Sequence, residues 1–474
     1  MNRVNNRAAA LLRLCAMLSL VLGTVLSAAD KPNIIFVFID DMGYADIGPF
    51  SGKHPTPHLD RMAAEGLKLT DFYVSSVACT PSRSALMTGC YAERVGMCGN
   101  VVFPADKRGL NPSEITIAEV LKKNGYATGC FGKWHLGDQP DFMPNRQGFD
   151  EYEGIPYSND MWSETGKPKG KRDYPPLPYL KQDQVIAYIP DQASQAVLTD
   201  AILDAAADFI TRHAKEPFFA YVPLTAVHYP WFATPERLAA AGGEPFKAQI
   251  TEIDQCMGRL MALLKSLDID KKTLIFFTSD NGGGGKTSSG PLRGGKFGPE
   301  YEGHMRVPAL AWWPGNVPAG KVTSQIGTTA DILPTLAALT GAEVPRDRFI
   351  DGKNISDILL GKEGAKSPHE NLFYGEGGLR QGKWKLVCYH QKAERFVELY
   401  DLEKDVGEKT NLASQEPEKV KAMQALLEKH VTDLKTNNRP AAFVDKPRPI
   451  LLEATGIPTL AKYRKQYNKP KSQP

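Results

Sequence analysis

Beyond residue 26 the 474-residue chain contains no further apolar run of bilayer length, which excludes a multispan membrane protein. Neither charge is in excess: 57 Lys and Arg face 54 Asp and Glu, a formal net charge of +3, and no basic stripe carries interleaved aromatics. Such a balance gives no reason to expect a nucleic-acid partner. CxxC pairs are absent, as is any Cys/His spacing of the zinc type. Internal repeats are missing too, and with them solenoid and array architectures.

What is present fits an exported globular protein. At 42% hydrophobic and 23% charged, the chain can bury a large core, and its length suits two domains. Arg3, Arg7 and Arg13 precede an apolar run at 14–26, followed by Ser27-Ala28-Ala29 with small residues at the cleavage positions. This predicts a signal peptide at 1–29, a secreted or periplasmic location and no stable membrane insertion. Of the seven cysteines, Cys15 leaves with that peptide. Cys90 and Cys98 are close enough to bridge, and the sequence leaves their pairing open. The basic run Lys167, Lys169, Lys171 and Arg172 sits among Gly and Pro and reads as a solvated loop.

Continuous apolar runs at 33–39, 217–224 and 273–278 read as buried parallel strands. Helical patterns lie between them at 57–67, 113–124, 199–213 and 248–267. The alternation predicts an α/β fold, a mixed, mostly parallel sheet with helices on both faces. After residue 367 short alternating segments at 372–374 and 384–389 precede an amphipathic stretch at 416–434. They predict a smaller antiparallel sheet with a packed helix. The boundaries expected are 30–367 for a catalytic domain and 368–474 for a smaller subdomain with an extended tail.

In open α/β sheets ligands gather outside the carboxyl ends of the strands. The run at 33–39 leads straight into Asp40-Asp41, the run at 273–278 into Asp280-Asn281, and the third ends close to His228. One Asp pair after a strand is ordinarily a cap or a turn. Two acid-bearing strand ends at one edge form a site for a hard divalent cation, because carboxylates and an amide oxygen suit calcium or magnesium.

The most specific segment is Cys79-Thr80-Pro81-Ser82-Arg83-Ser84-Ala85-Leu86-Met87-Thr88-Gly89. Pro81 suits the first helical position, which would put Cys79 just ahead of a helix N-terminus, where the dipole favours an anionic centre. From composition alone, a thiol nucleophile and a buried small hydrophobe both stay open.

This stretch resembles the signature of the type I, formylglycine-dependent sulfatases. A second signature follows at Gly125-Tyr126-Ala127-Thr128-Gly129-Cys130-Phe131-Gly132-Lys133-Trp134-His135, where Phe131 replaces the usual small or aliphatic residue. The resemblance runs from Lys31 to about Leu412 and is nearest the arylsulfatase A and N-acetylgalactosamine-6-sulfatase group. It includes Pro32-Asn33-Ile34-Ile35, Arg293-Gly294-Gly295-Lys296, the segment 302–308 and Glu398-Leu399-Tyr400-Asp401-Leu402. His304 stands where similar sequences commonly have glycine, a change that bears on local packing or the rim of the site.

The resemblance implies an alkaline-phosphatase-like fold and a sulfuric ester hydrolase of the arylsulfatase type. Cys79 would be oxidised to formylglycine (3-oxoalanine) by a formylglycine-generating enzyme. One calcium ion would be held by Asp40, Asp41, Asp280 and Asn281 together with residue 79. Arg83 would hold the formylglycine, Lys133 and Lys296 would bind sulfate, His135 and His228 would be the base and acid, and Asp280 would help deprotonate the nucleophile. Singly, a Lys beside Gly is usually solvated and a His near a strand end usually packs. With the cysteine signature, these positions describe one site. His54, His58, His213, His369, His390 and His430 match no catalytic motif.

The implied substrate is a sulfated small molecule or a sulfated polysaccharide fragment, chosen by loops at 152–188 and 282–291. Two alternatives remain at this level: a phosphate or phosphonate monoester hydrolase of the same superfamily, and an inactive sulfated-glycan-binding protein. Asn354-Ile355-Ser356 is a glycosylation sequon, relevant only in a eukaryotic source.

Overall fold

The computed structural model describes residues 31–52, 54–162, 174, 176–392, 394–450 and 456–467. The expected signal segment and the basic run at 167–172 lie outside the described residues.

The first half of the chain supplies β1 (Asn33–Ile39), β2 (Leu67–Tyr73), β3 (Arg108–Gly109), β4 (Ala127–Lys133), β5 (Glu151–Ile155), β6 (Leu177–Lys181), β7 (Gln184–Ile189) and β8 (Phe218–Pro223). Then come β9 (Thr273–Ser279), β10 (Arg306–Trp312), β11 (Lys321–Thr323) and β12 (Gly327–Thr328). All of these except β3 form one 11-stranded sheet in the order β11-β2-β10-β9-β1-β8-β4-β5-β6-β7, with β12 beside β2. Its centre, β9-β1-β8-β4-β5, is parallel. Antiparallel pairings occur at β10 and in the β6–β7 hairpin. The sheet is therefore mixed and mostly parallel, as expected.

Every residue of β1 is buried because both faces of the sheet are covered. Ile34, Phe36 and Phe38 face a core shared with the helices Cys79–Thr88, Ile117–Lys123 and Ile332–Thr340. Ile35, Val37 and Ile39 face a second core with the helices Pro57–Glu65, Leu198–Arg212 and Pro245–Ser266. The helix expected from residue 113 starts at Ile117. Thr116 caps it, accepting from the Glu119 N–H while Glu119 returns a bond to the Thr116 N–H at 2.7 Å. The stretch 152–188, read as a substrate-choosing loop, instead contributes most of β5 to β7 to the sheet edge.

A second sheet follows, antiparallel and four-stranded: β13 (Leu372–Tyr374), β14 (Gly378–Gln381), β15 (Trp384–Gln391) and β16 (Glu394–Asp401). Leu379, Leu386 and Leu399 on it pack against Met423 and Leu427 of the helix Pro417–Thr436. The tail then returns to the large unit instead of trailing away. Its β17 (Ala442–Phe443) pairs with β3, and Leu460, at the head of the helix Leu460–Tyr467, is buried in the second core. The described cysteines, Cys90 and Cys98 among them, are all free. Among the described residues no helix is long and apolar enough to cross a membrane.

Candidate active site

Register brings the acids together. Ile39 of β1 pairs with Ser279 of β9, so Asp40 and Asp280 leave the sheet side by side. The Asp280 N–H donates to the Ile39 carbonyl at 2.9 Å, and the Asp40 N–H to the Ala226 carbonyl beyond β8 at 3.1 Å. β4, on the other side of β8, ends at Lys133, with His135 just past it. Asp41 and His135 have φ angles of 60° and 63°, left-handed backbone. Such strain costs about 1–3 kcal/mol and gathers at functional sites. Bonds from the Asp41 N–H to Asp280 Oδ1 at 3.2 Å and from the His135 N–H to the Pro156 carbonyl at 3.0 Å hold it in place.

Cys79 is the first residue of its helix, with Ala78 as the cap. Pro81 therefore lies at the third helical position rather than the first. Its missing N–H costs nothing there, since the first four N–H groups of a helix have no intrahelical partner. Arg83, one turn on, is fully buried with its guanidinium 5.5 Å from the Phe38 ring.

Around the Cys79 sulfur the charges interlock. Asp40 Oδ1 lies 3.3 Å and Lys296 Nζ 3.5 Å from it. Arg83 donates to Asp280 Oδ2 at 2.8 Å and to the Lys133 carbonyl at 3.0 Å. Lys133 donates to Asp40 Oδ2, and at 3.1 Å to the Ser158 hydroxyl. Lys296 meets Asp41 at 2.8 Å, and His228 Nε2 stands 3.5 Å from Asp41 Oδ2. Burial drives the Cys79 thiol well up, with Asp280 and Asp40 adding to it, so the unmodified residue is a thiol rather than a thiolate. Burial also lifts Asp280 to about 6, helped by Asp40 and opposed by Arg83. For Asp40 burial is outweighed by Lys133, His228, Arg83 and Lys296, and its carboxyl is held well below the usual range. Lys133 stays charged because the Asp40 carboxylate overcomes desolvation.

The two histidines differ. His135 Nε2 lies 3.0 Å from the Val102 carbonyl, which only accepts, so Nε2 carries the proton. Its Nδ1 is buried and has no partner. Burial and the neighbouring Lys133 hold its pKa well below the ordinary value, so it is a neutral ring with a free lone pair. His228 directs Nδ1 at the Tyr229 carbonyl, 2.6 Å away, and Nε2 at Asp41, an arrangement that suits a proton donor.

The residues also fit a hard cation. Asp40, Asp41, Cys79 and His228 present ligand atoms all within 4.8 Å of one another. Asn281 Oδ1 is buried without a partner while its Nδ2 donates to Asp41 Oδ1 at 2.8 Å. Carboxylates with a free amide oxygen are the donor set of calcium or magnesium.

The sequence profile of the Sulfatase family matches residues 32–342, the span that carries all of these side chains. The chain belongs to the Sulfatase family. It is thereby a sulfuric ester hydrolase. A second profile, N-sulphoglucosamine sulphohydrolase, C-terminal, matches residues 299–437, which take in the smaller sheet and its helix. The sulfatase is 37% identical to arylsulfatase A of Homo sapiens over 86% of this chain and 89% of that one. It is 36% identical to N-acetylgalactosamine-6-sulfatase of Canis lupus familiaris over 74% of this chain and 69% of that one. Among solved structures it is similar to Ps i-CgsB in complex with k-i-k-neocarrahexaose, with a TM-score of 0.74 and 30% identity over 86% of this chain and 95% of that one.

All ten residues expected from the sequence meet at this one edge of the sheet. Sequence reasoning missed Ser158 and the Val102 carbonyl, which orient Lys133 and His135. Ser158 lies just beyond β5, whose residues Glu151-Tyr152-Glu153-Gly154-Ile155 mix charge with glycine and hide the strand. No side chain announces a carbonyl such as that of Val102. The unusual His304 fills space under the loop that carries Lys296, where a Cβ on Gly294 or Gly298 would lie 2.0 or 2.4 Å from its ring. Of the other histidines, His369 pairs with Asp331 at 2.7 Å and His430 stacks on Phe373 with centroids 3.9 Å apart.

Proposed function

We propose that this sulfatase hydrolyses sulfate monoesters of a sulfated small molecule or saccharide, with residue 79 matured to formylglycine and one calcium ion at the acidic edge. The observation that carries the reading is the convergence of Arg83, Lys133, Lys296, His135 and His228 on the surroundings of the Cys79 sulfur. Asp40, Asp41, Asp280 and Asn281 are the residues that would hold the cation, which when bound supplies positive charge against the ester. Formylglycine at residue 79 would supply a hydrated aldehyde, with one hydroxyl as nucleophile and a second to release the sulfate.

The chain's own residues divide the remaining work. Three aspartates are balanced by Arg83, Lys133 and Lys296, so the pocket would carry excess positive charge for an anionic ester once a divalent ion were held there. Lys133 and Lys296 bind the sulfate oxygens, and Arg83 fixes residue 79. Asp280, a buried carboxylate paired with Arg83 at 2.8 Å, accepts the proton of the attacking hydroxyl. His228 protonates the departing alcohol, and His135 takes the last proton at Nδ1. The N-acetylgalactosamine-6-sulfatase relatives and the carrahexaose-bound structure support a saccharide substrate. The proposal keeps residues 30–367 as the catalytic domain, 368–474 as the smaller unit, and export through a signal peptide.

The test is direct. Chain coexpressed with a formylglycine-generating enzyme should carry the aldehyde at residue 79 by peptide mass and cleave 4-nitrophenyl sulfate in preference to 4-nitrophenyl phosphate. Preference for the phosphate would replace this reading with the phosphoryl-hydrolase one.

A further inference from the structure

We infer that Tyr229 and Phe297 form an aromatic rim over the sulfate site that grips the flat apolar face of the substrate's alcohol part, an arene or the C–H face of a pyranose. The inference rests on the sulfatase reading and deepens it. Each ring directly follows a residue of the site, His228 and Lys296. Those two residues approach the same oxygen, Asp41 Oδ2, at 3.5 and 2.9 Å, so both rings are mounted around one carboxylate. The Lys296 ammonium lies 4.8 Å from the Phe297 ring centroid and 3.5 Å from the Cys79 sulfur, which puts a single ammonium between ring and reaction centre.

Stability of the fold accounts for neither ring. Tyr229 is 59% and Phe297 64% exposed. Isolated exposed aromatics are ordinary, but Phe297 is also strained. Its φ is 58°, left-handed backbone that costs a bulky residue about 1–2 kcal/mol and that glycine would adopt freely. An exposed ring on strained backbone beside a catalytic lysine is a feature that function explains better than packing. Tyr229 has a stiff backing. Trp231 meets it edge-on with centroids 5.5 Å apart, Phe246 braces Trp231 at 5.6 Å, and the Trp231 indole N–H donates to the Val227 carbonyl at 2.8 Å. Preoriented rings stack on a flat partner at little entropic cost.

The experiment compares wild type with Tyr229→Ala, Phe297→Gly and Phe297→Tyr on 4-nitrophenyl sulfate, a 6-sulfated pyranose and methyl sulfate, which has no flat face. Loss of either ring should raise KM about tenfold on a flat substrate with kcat nearly kept, leave methyl sulfate unchanged, and be repaired in Phe297→Tyr. The flat substrate with the larger rise identifies arene or pyranose. Phe297→Gly should hold or raise Tm, because the strain is gone, which separates lost binding from misfolding. Unchanged KM on both flat substrates, or an equal rise on methyl sulfate, overturns the rim. Should no sulfate ester be turned over, the sulfatase reading fails by itself. The rim is then decided by calorimetric titration of the thiol-form chain with 4-nitrophenyl sulfate: affinity that depends on the rings supports it, and affinity that does not overturns it.

Discussion

Lys296 belongs to one buried ionic cluster, and Glu302, a few residues further along, belongs to another. The second lies between the two sheets and closes on itself. Lys385 bridges Glu302 Oε1 at 2.8 Å and Glu408 Oε1 at 3.0 Å, Tyr73 donates to Glu302 Oε2 at 2.8 Å, and Arg306 and Arg380 take one oxygen each of Asp71. Each carboxylate oxygen there faces a cation or a hydrogen-bond donor, Glu408 Oε1 having only the Lys385 ammonium, as an ion pair without a hydrogen bond. The catalytic cluster is built from the same residue types but leaves Asn281 Oδ1 and His135 Nδ1 buried and unpaired. Buried polar atoms are normally satisfied. A cluster that closes on itself serves to join two units, whereas one with open atoms at its centre is built to receive something.

The comparison breaks first at residue 79. Cys79→Ser lacks the second hydroxyl needed to expel sulfate, so turnover should fall by at least about a thousandfold, with one sulfate per chain retained in intact mass. Sustained multiple turnover by that variant would contradict the mechanism. No substitution in the seam cluster should trap sulfate.

Removing one lysine from each cluster should give opposite signatures. Lys385→Met leaves Glu302 and Glu408 buried without their cation and should cost about 3–5 kcal/mol of stability, while the folded fraction keeps its kcat. Lys133→Met or Lys296→Met should lower kcat/KM by about a hundredfold or more through lost charge stabilisation, with a smaller change in Tm. Equal losses of Tm in all three variants would erase the distinction.

The two clusters were not equally legible in the sequence. The catalytic one sits at the ends of strands whose apolar runs are unmistakable, and the cysteine and Lys133–His135 signatures mark its positions. The five helical stretches read from the sequence lie within a few residues of their observed bounds for the same reason, since their apolar faces recur with the helical period. The core helix Ile332–Thr340, by contrast, went unread. The seam cluster joins Asp71, Glu302, Lys385 and Glu408 across hundreds of residues, and no local pattern announces such pairing. β10 was hidden too. Pro308 interrupts its apolar run, a residue tolerated there because the register of the β2 pairing shifts between Val307 and Ala309. The tail beyond residue 437 is rich in Pro and Lys, and its return depends on Leu460 finding a place in the distant second core.

A cation sharpens the contrast further. Calcium at about a hundred times its dissociation constant should stabilise the folded chain by about 2.7 kcal/mol, read as a rise in Tm that a chelator reverses. Asn281→Ala should shrink that rise. Glu408→Gln, in the seam, should leave it intact. A calcium-independent Tm would remove the hard-cation assignment of the acidic edge.

The smallest effect is a dependence on pH, to which Asp280 of the catalytic cluster, lifted to about 6, also contributes and which a single substitution beside the seam isolates. Glu93 and Glu300 lie beside the seam, and burial lifts each of them to about 7. A carboxyl whose folded pKa exceeds its unfolded value binds its proton more tightly when folded. Its contribution to stability is therefore complete below the unfolded value, near 4.5, and is lost as pH rises through about 7. Glu302 works in the opposite sense. Despite burial, Lys385, Arg306 and Arg380 hold it at about 2, so its contribution is complete above 4.5 and unchanging between pH 5 and 8. Over that window wild type should lose on the order of 1 kcal/mol per raised carboxyl, measured by denaturant midpoint. Glu93→Gln should flatten the slope, because the amide stays neutral throughout. An undiminished slope in that variant would mean that Glu93 is ionised in the folded chain and that the seam takes a charged carboxylate there without penalty.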